Sequence, residues 1–159
     1  MPMNTGEKDA AAVRVPPPLV YLAAIAVGIG LQYLWALPLG LGFGVRMMLA
    51  LLIALAGCVL LGAAIRLFIK TGQHPEPWRS TPEIITGGVY RYTRNPFYVS
   101  FALIQLAVGV GLGNFWIILL VPVSCLGVFY TAIRQEEAYL ERKFGAPYLE
   151  YKQSVRRWL

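Results

Sequence analysis

Charge is scarce in this chain, and its distribution decides the class. Of 159 residues 14% are charged, while 57% are hydrophobic. Three long stretches carry no charged side chain at all: Pro16 to Val45, Met47 to Ile65 and Asn95 to Ile133. A soluble domain of this size has no use for such gaps, so that class is excluded. Histidine is nearly missing too, with His74 alone. The two cysteines, Cys58 and Cys125, form no CxxC pair and fall inside apolar runs. A zinc or haem centre built from this chain is therefore not expected, and the cysteines read as small packing residues. Basic residues outnumber acidic ones by 14 to 8. They form no stripe on a polar element, so nucleic acid is not the partner that this charge implies.

What is present fits a bilayer. About 20 apolar residues cross the hydrocarbon core as a helix. The first two uncharged stretches each suit one crossing. The third is long enough for two, with a turn signal at Gly109-Val-Gly-Leu-Gly-Asn114. The expected fold is an all-α integral membrane protein with about four transmembrane helices, near 18–37, 46–69, 96–111 and 115–133. The last two make a C-terminal hairpin. Residues 1–16 read as a flexible tail, 70–95 as a cytoplasmic loop and 134–159 as a cytoplasmic or interfacial tail. The first span is not read as a cleaved signal peptide, since it is long and lacks a clean cleavage site.

Arg46 is the only one of the 14 basic residues that falls on the far side of this arrangement. The positive-inside rule then places both termini and the central loop in the cytoplasm. A bacterial inner membrane is the expected location. The basic loops would also dock on anionic headgroups of the membrane lipids. Small residues in the second span, Gly57 and Ala64 among them, suit close helix packing and would permit a homodimer. In the tail, Tyr148, Tyr151, Val155 and Trp158 recur at helical spacing, opposite Lys152, Arg156 and Arg157. That pattern reads as an amphipathic interfacial helix.

Polar clusters stand at both feet of the hairpin. Before it runs Gly88-Val-Tyr-Arg-Tyr-Thr-Arg-Asn-Pro-Phe-Tyr98, and after it Arg134-Gln-Glu-Glu137. Spanning a bilayer requires neither. Pro96 suits the first turn of a helix, which puts Arg94 and Asn95 at its N-terminus, where an anionic group is favoured. Arg94 suits a carboxylate, and Tyr90, Tyr92 and Tyr98 suit a flat heterocycle or a sulfonium. Arg134 and Glu137 lie at i, i+3 and suit a surface pair. His74 is the only imidazole available as a base. Ser80-Thr-Pro-Glu83 suits a short helical turn, and Trp78 and Trp158 suit interfacial anchors.

These residues resemble the isoprenylcysteine carboxyl methyltransferase and phospholipid methyltransferase group of integral-membrane enzymes. The family pattern is Gly-x-Tyr-x-x-x-Arg-His-Pro-x-Tyr, a hairpin, Glu-Glu, then Phe-Gly-x-x-Tyr-x-x-Tyr and a basic tail. Here it reads Gly88-Val-Tyr90, Arg94-Asn-Pro-Phe-Tyr98, Glu136-Glu137 and Phe144-Gly-Ala-Pro-Tyr148-Leu-Glu-Tyr151. The likeness runs from Ile84 to Leu159. It implies S-adenosylmethionine as methyl donor. Gly88, Tyr90, Arg94, Asn95, Pro96 and Tyr98 would form its pocket, with Glu136 and Glu137 on its polar groups. Arg134 would orient the acceptor, and an amine or hydroxyl acceptor would take His74, Glu136 or Glu137 as base. Asn95 departs from the pattern, which has His there, since Asn hydrogen-bonds but cannot take up a proton. The implied acceptor is a lipid or lipophilic small molecule, bearing a carboxylate, amine or hydroxyl. Two other readings stay open: an NADPH-dependent enzyme resembling sterol reductases, and a small membrane protein without catalysis.

Overall fold

The computed structural model describes residues 10, 11, 13, 15–74 and 79–159. The expected anchor Trp78, and most of the expected N-terminal tail with Lys8 and Arg14, lie outside them. Among the described residues six α-helices follow in order: α1 (Pro17–Leu34), α2 (Phe43–Lys70), α3 (Pro96–Leu112), α4 (Phe115–Val128), α5 (Arg134–Phe144) and α6 (Ala146–Ser154). A 3₁₀ turn covers Gly88–Arg91, and a π-helical segment, Phe129–Ile133, joins α4 to α5. Among the described residues, extended pairing is limited to one isolated bridge between Pro38 and Asn114.

Among the described residues three helices are long and apolar enough to cross a membrane: Pro17–Leu34, Phe43–Lys70 and the continuous run Phe115–Phe144. Charge begins at Arg134, so the apolar part of that run ends at Ile133. Helix α3 is apolar but shorter, at 17 residues. It begins with Pro96 in the first turn, where a missing N–H costs nothing. It ends at Gly113 with φ +63, a left-handed cap that suits glycine. Asn114 then caps α4, its side-chain oxygen accepting from the N–H groups of Trp116 and Ile117. The turn signal at Gly109–Asn114 thus becomes a tight reversal, and α3 and α4 return to one end.

The helices pack through small residues. A Cβ added to Gly28 of α1 would stand 2.6 Å from the Ile117 side chain of α4. One added to Gly57 of α2 would stand 3.2 Å from Leu103 of α3. Ala64 is fully buried. Gly57 thus packs on this chain's own α3 and Ala64 on Tyr90, Tyr148 and Tyr151, while Gly62 of the same helix meets nothing within 4 Å. Polar side chains pin the same layer. Gln105 donates to the Ile117 carbonyl at 3.1 Å, Ser124 donates to Gln105 at 2.8 Å, and Asn114 donates to the Gly28 carbonyl at 3.0 Å. Between helices in lipid such bonds replace the hydrophobic drive that water supplies elsewhere.

Two local expectations change. Ser80 to Glu83 forms bends and no helical turn. The tail helix stops at Ser154, and Val155 is extended. Tyr148 and Tyr151 are buried against Ala64 and Tyr90, so their faces turn inward and not toward headgroups. The last residues run back over the hairpin foot, and Trp158 packs on a core of Tyr21, Tyr98, Val128, Ala132 and Ile133.

Candidate functional site

The two polar clusters meet because the hairpin returns its feet to one end, and the tail ties them. The Arg94 N–H donates to the Arg156 carbonyl at 2.9 Å. The Thr93 hydroxyl and the Asn95 amide donate to the Arg157 carbonyl at 3.1 and 3.0 Å. Arg157 in turn grips Glu137 with both arms of its fork, Nε at 2.8 Å and Nη2 at 2.9 Å. Such bidentate pairs fix geometry as well as charge. Arg94 Nη1 lies 3.2 Å and Lys152 Nζ 3.8 Å from the same carboxylate. One carboxylate thus holds three cations. Arg134, the expected partner, is not among them.

Arg94 is not saturated by this pairing. Its Nε and Nη1 are buried without a hydrogen-bond acceptor. The 3.2 Å approach to Glu137 is a charge contact whose angles do not make a hydrogen bond. The guanidinium therefore keeps bonding capacity for another anion.

The two glutamates titrate differently. Burial pushes the Glu136 carboxyl up to about 7; the hydrogen bond from Tyr98 opposes this and the neighbouring Glu137 adds to it. Tyr98 is that bond's donor through its hydroxyl. For Glu137 burial also acts upward, but the Arg157 hydrogen bond and the charges of Arg94, Arg157 and Lys152 win, and the carboxyl ends below its usual range. Burial, and then Glu136, raise the Tyr90 hydroxyl well above the usual phenol value. Tyr90 is itself fixed by Tyr151, whose hydroxyl donates to the Tyr90 carbonyl at 2.7 Å.

These groups surround a cavity of about 320 Å³. That lies at the small end of the range for small-molecule sites, about 300–1,000 Å³. Arg94, Asn95, Pro96, Glu136 and Glu137 line one part, with Tyr90, Tyr98, Tyr148 and Tyr151. The central loop adds Gln73, His74, Thr81 and Glu83. Pro17 and Pro18 of α1, and Phe97 and Phe101 of α3, form an apolar side. Of the residues singled out from sequence, the structure brings Tyr90, Arg94, Asn95, Pro96, Tyr98, Glu136, Glu137 and His74 to this cavity. Arg134 is exposed and Gly88 lies in a separate shallow groove with Arg66 and Arg91, so neither lines it. Tyr92 is 76% exposed and does not line it either. No group of three or more His, Cys, Asp or Glu poised for a metal ion occurs among the described residues.

Sequence reasoning missed three residues. Arg157 and Lys152 were read as the polar face of a surface helix, yet both reach Glu137. Gln73 gave no signal, because its burial depends on how α2 ends.

Parts of this chain are similar to known proteins. A family model described as phospholipid methyltransferase matches residues 45–147, more than half of the chain. A protein-S-isoprenylcysteine O-methyltransferase of Schizosaccharomyces pombe is 39% identical over 72 residues, which is 45% of this chain and 30% of that protein. Its namesake in Dictyostelium discoideum is 32% identical over 87 residues, 50% of this chain and 34% of that protein. An uncharacterised protein of Haemophilus influenzae is 48% identical over 62 residues, 39% of this chain and 98% of that protein. The chain thus spans about a third of the length of the two methyltransferases. No solved structure matches it.

Proposed function

The chain belongs to the phospholipid methyltransferase family, and from that premise we propose that it transfers a methyl group from S-adenosylmethionine to a lipophilic acceptor at the membrane surface. The observation that carries this is the under-satisfied Arg94 facing a cavity walled by tyrosines and a second, protonatable carboxylate. The donor's parts fit these groups. Its carboxylate suits the spare nitrogens of Arg94. Its ammonium or ribose hydroxyls suit Glu136. Its sulfonium suits the faces of Tyr90 and Tyr98. When bound, it supplies an electrophilic methyl group on sulfur.

The protein's own work is alignment and exclusion of water. Glu137 is held ionised by three cations, which suits a charge anchor that keeps Arg94 and the tail in place. That leaves Glu136, whose carboxyl is pushed up to about 7, as the base for an amine or hydroxyl acceptor, with the His74 imidazole bordering the same cavity. A carboxylate acceptor needs no base. The acceptor enters between α1 and α3, past Pro17, Pro18, Phe97 and Phe101, where the wall is apolar. Arg134, exposed beside this end, contacts the acceptor's headgroup rather than the donor. The distribution of basic residues supports an orientation with both termini and the cavity on the cytoplasmic side.

Calorimetry of S-adenosylhomocysteine binding to detergent-purified protein tests the reading. Binding by the wild type, lost in Arg94→Ala, supports it. Absence of wild-type binding, with NADPH binding in a parallel titration, moves the chain to reductase chemistry.

A further inference from the structure

Gln73 stands one residue beyond the turn that ends α2. That turn is closed by three backbone bonds: Thr71 N–H to the Leu67 carbonyl at 3.1 Å, Gly72 N–H to Ile69 at 3.2 Å and Gln73 N–H to Phe68 at 2.9 Å. Gly72 takes φ +67, the left-handed geometry of a helix C-cap. The backbone of Gln73 is thus held at a rigid helix end. Its side chain is 7% exposed and borders the cavity. Yet its amide oxygen and its amide nitrogen are both without a partner.

Leaving a buried donor and a buried acceptor unmade carries the full desolvation cost of each group. Such a group marks a site when it faces a cavity. A primary amide presents one acceptor and one donor, side by side in a plane. The matching edge must present a donor and an acceptor in the same spacing. The edge of adenine does so, with its 6-amino group beside a ring nitrogen, and Gln makes this bidentate pair with adenine in the major groove of DNA. The surroundings suit a flat ring. Phe68, whose carbonyl holds the Gln73 N–H, packs edge-on to Phe97 at 5.5 Å and tilted to Tyr90 at 6.2 Å. The charged groups that suit an amino-acid tail, Arg94 and Glu136, border the same cavity.

We propose that Gln73 reads the 6-amino edge of the methyl donor's adenine, its amide oxygen accepting from the amino group and its amide nitrogen donating to the adjacent ring nitrogen. This rests on the methyl-donor reading given above. Gln73 then selects an adenine nucleoside over other bases, while Arg94 and Glu136 hold the other end of the same molecule. A site built to bond a polar group penalises a ligand that lacks it, because its own buried atoms are left unpaired.

The test is calorimetry with two ligands, S-adenosylhomocysteine and its analogue carrying hydrogen in place of the 6-amino group. Wild-type protein is expected to prefer the first by at least about tenfold. Gln73→Leu is expected to bind S-adenosylhomocysteine about tenfold more weakly and to lose the preference between the two. Gln73→Glu keeps the acceptor and is expected to keep the preference, which carries the test where the leucine variant fails to fold. Wild-type protein that binds both ligands equally overturns the proposal and leaves the methyl-donor reading standing. A Gln73→Leu variant that weakens both ligands by the same factor does likewise. Wild-type protein that binds neither ligand overturns both.

Discussion

Between α1 and α4 a single added carbon on Gly28 would lie 2.6 Å from Ile117, whereas at the surface end three cations crowd around the one carboxylate of Glu137. The two contacts belong to two ways of holding a chain together. In the apolar layer, close approach is the resource, and Gln105, Ser124, Asn114 and Ser100 are each paired, Ser100 donating to the Pro96 carbonyl at 2.7 Å. At the surface end charge is the resource, and pairing is left incomplete at Arg94, Gln73 and Gln135. The lipid-facing layer spends nothing on chemistry. The end that faces the cavity keeps polar capacity in reserve, which is what a binding site requires.

The largest effect is expected from breaking the surface end. Glu137→Ala leaves Arg94, Arg157 and Lys152 without their common anion. Losing one partner of a buried ionic cluster costs about 3–5 kcal/mol. Denaturant unfolding in detergent should show that loss, together with loss of S-adenosylhomocysteine binding. The apolar layer breaks differently. Gly28→Val overpacks the α1–α4 contact and should cost about 1–3 kcal/mol, with the pH dependence of ligand binding unchanged in calorimetry.

That pH dependence comes from Glu136, and its sign follows from the raised carboxyl. The folded chain holds this proton more tightly than the unfolded one, so Glu136 subtracts stability as pH rises from the ordinary carboxylate range through about 7. Glu137, lowered, acts in reverse: its contribution is present above the ordinary carboxylate range and is lost as pH falls below it. For a ligand whose cationic group meets ionised Glu136, affinity should rise about tenfold between pH 6 and 8. Titrations of S-adenosylhomocysteine at the two pH values check this, and Glu136→Gln should flatten the rise. The smallest effect belongs to Gln105→Leu. It removes one of the two acceptors of Ser124, which keeps the Leu120 carbonyl at 3.0 Å, and the side-chain donor to the Ile117 carbonyl, at about 0.6 kcal/mol for a bond of this kind between membrane helices. Unfolding measurements should detect it with ligand affinity unchanged.

Much of the layout was legible because it depends on local rules. Pro96 announces the start of α3, Gly113-Asn114 the reversal, and the equal arms of the hairpin bring Arg94 and Glu137 to one end. The tail was legible as a helix but not in its direction. Tyr148 and Tyr151 at i, i+3 serve a membrane surface and a protein surface equally well, and only the tertiary fold turns them inward. Arg157 was out of reach for the same reason, since its pairing with Glu137 requires the chain to double back after Ser154. Gln73 lay beyond periodicity altogether, because its burial is set by a left-handed turn at Gly72 and by what the loop covers.

The π-helical segment Phe129–Ile133 has a consequence for how this chain tolerates insertions and deletions. A π turn carries one more residue than the α-helix it interrupts. It is therefore slack in the winding, placed between the buried Val128 and the two glutamates. Loss of one residue there is absorbed as the turn relaxes to α-helix, and Glu136 and Glu137 keep their angular phase. Gain of one residue finds no slack, and advances everything beyond it by about 100°. Relatives one residue shorter between Val128 and Arg134 should keep the same glutamate wall, and relatives one residue longer should have to rebuild it.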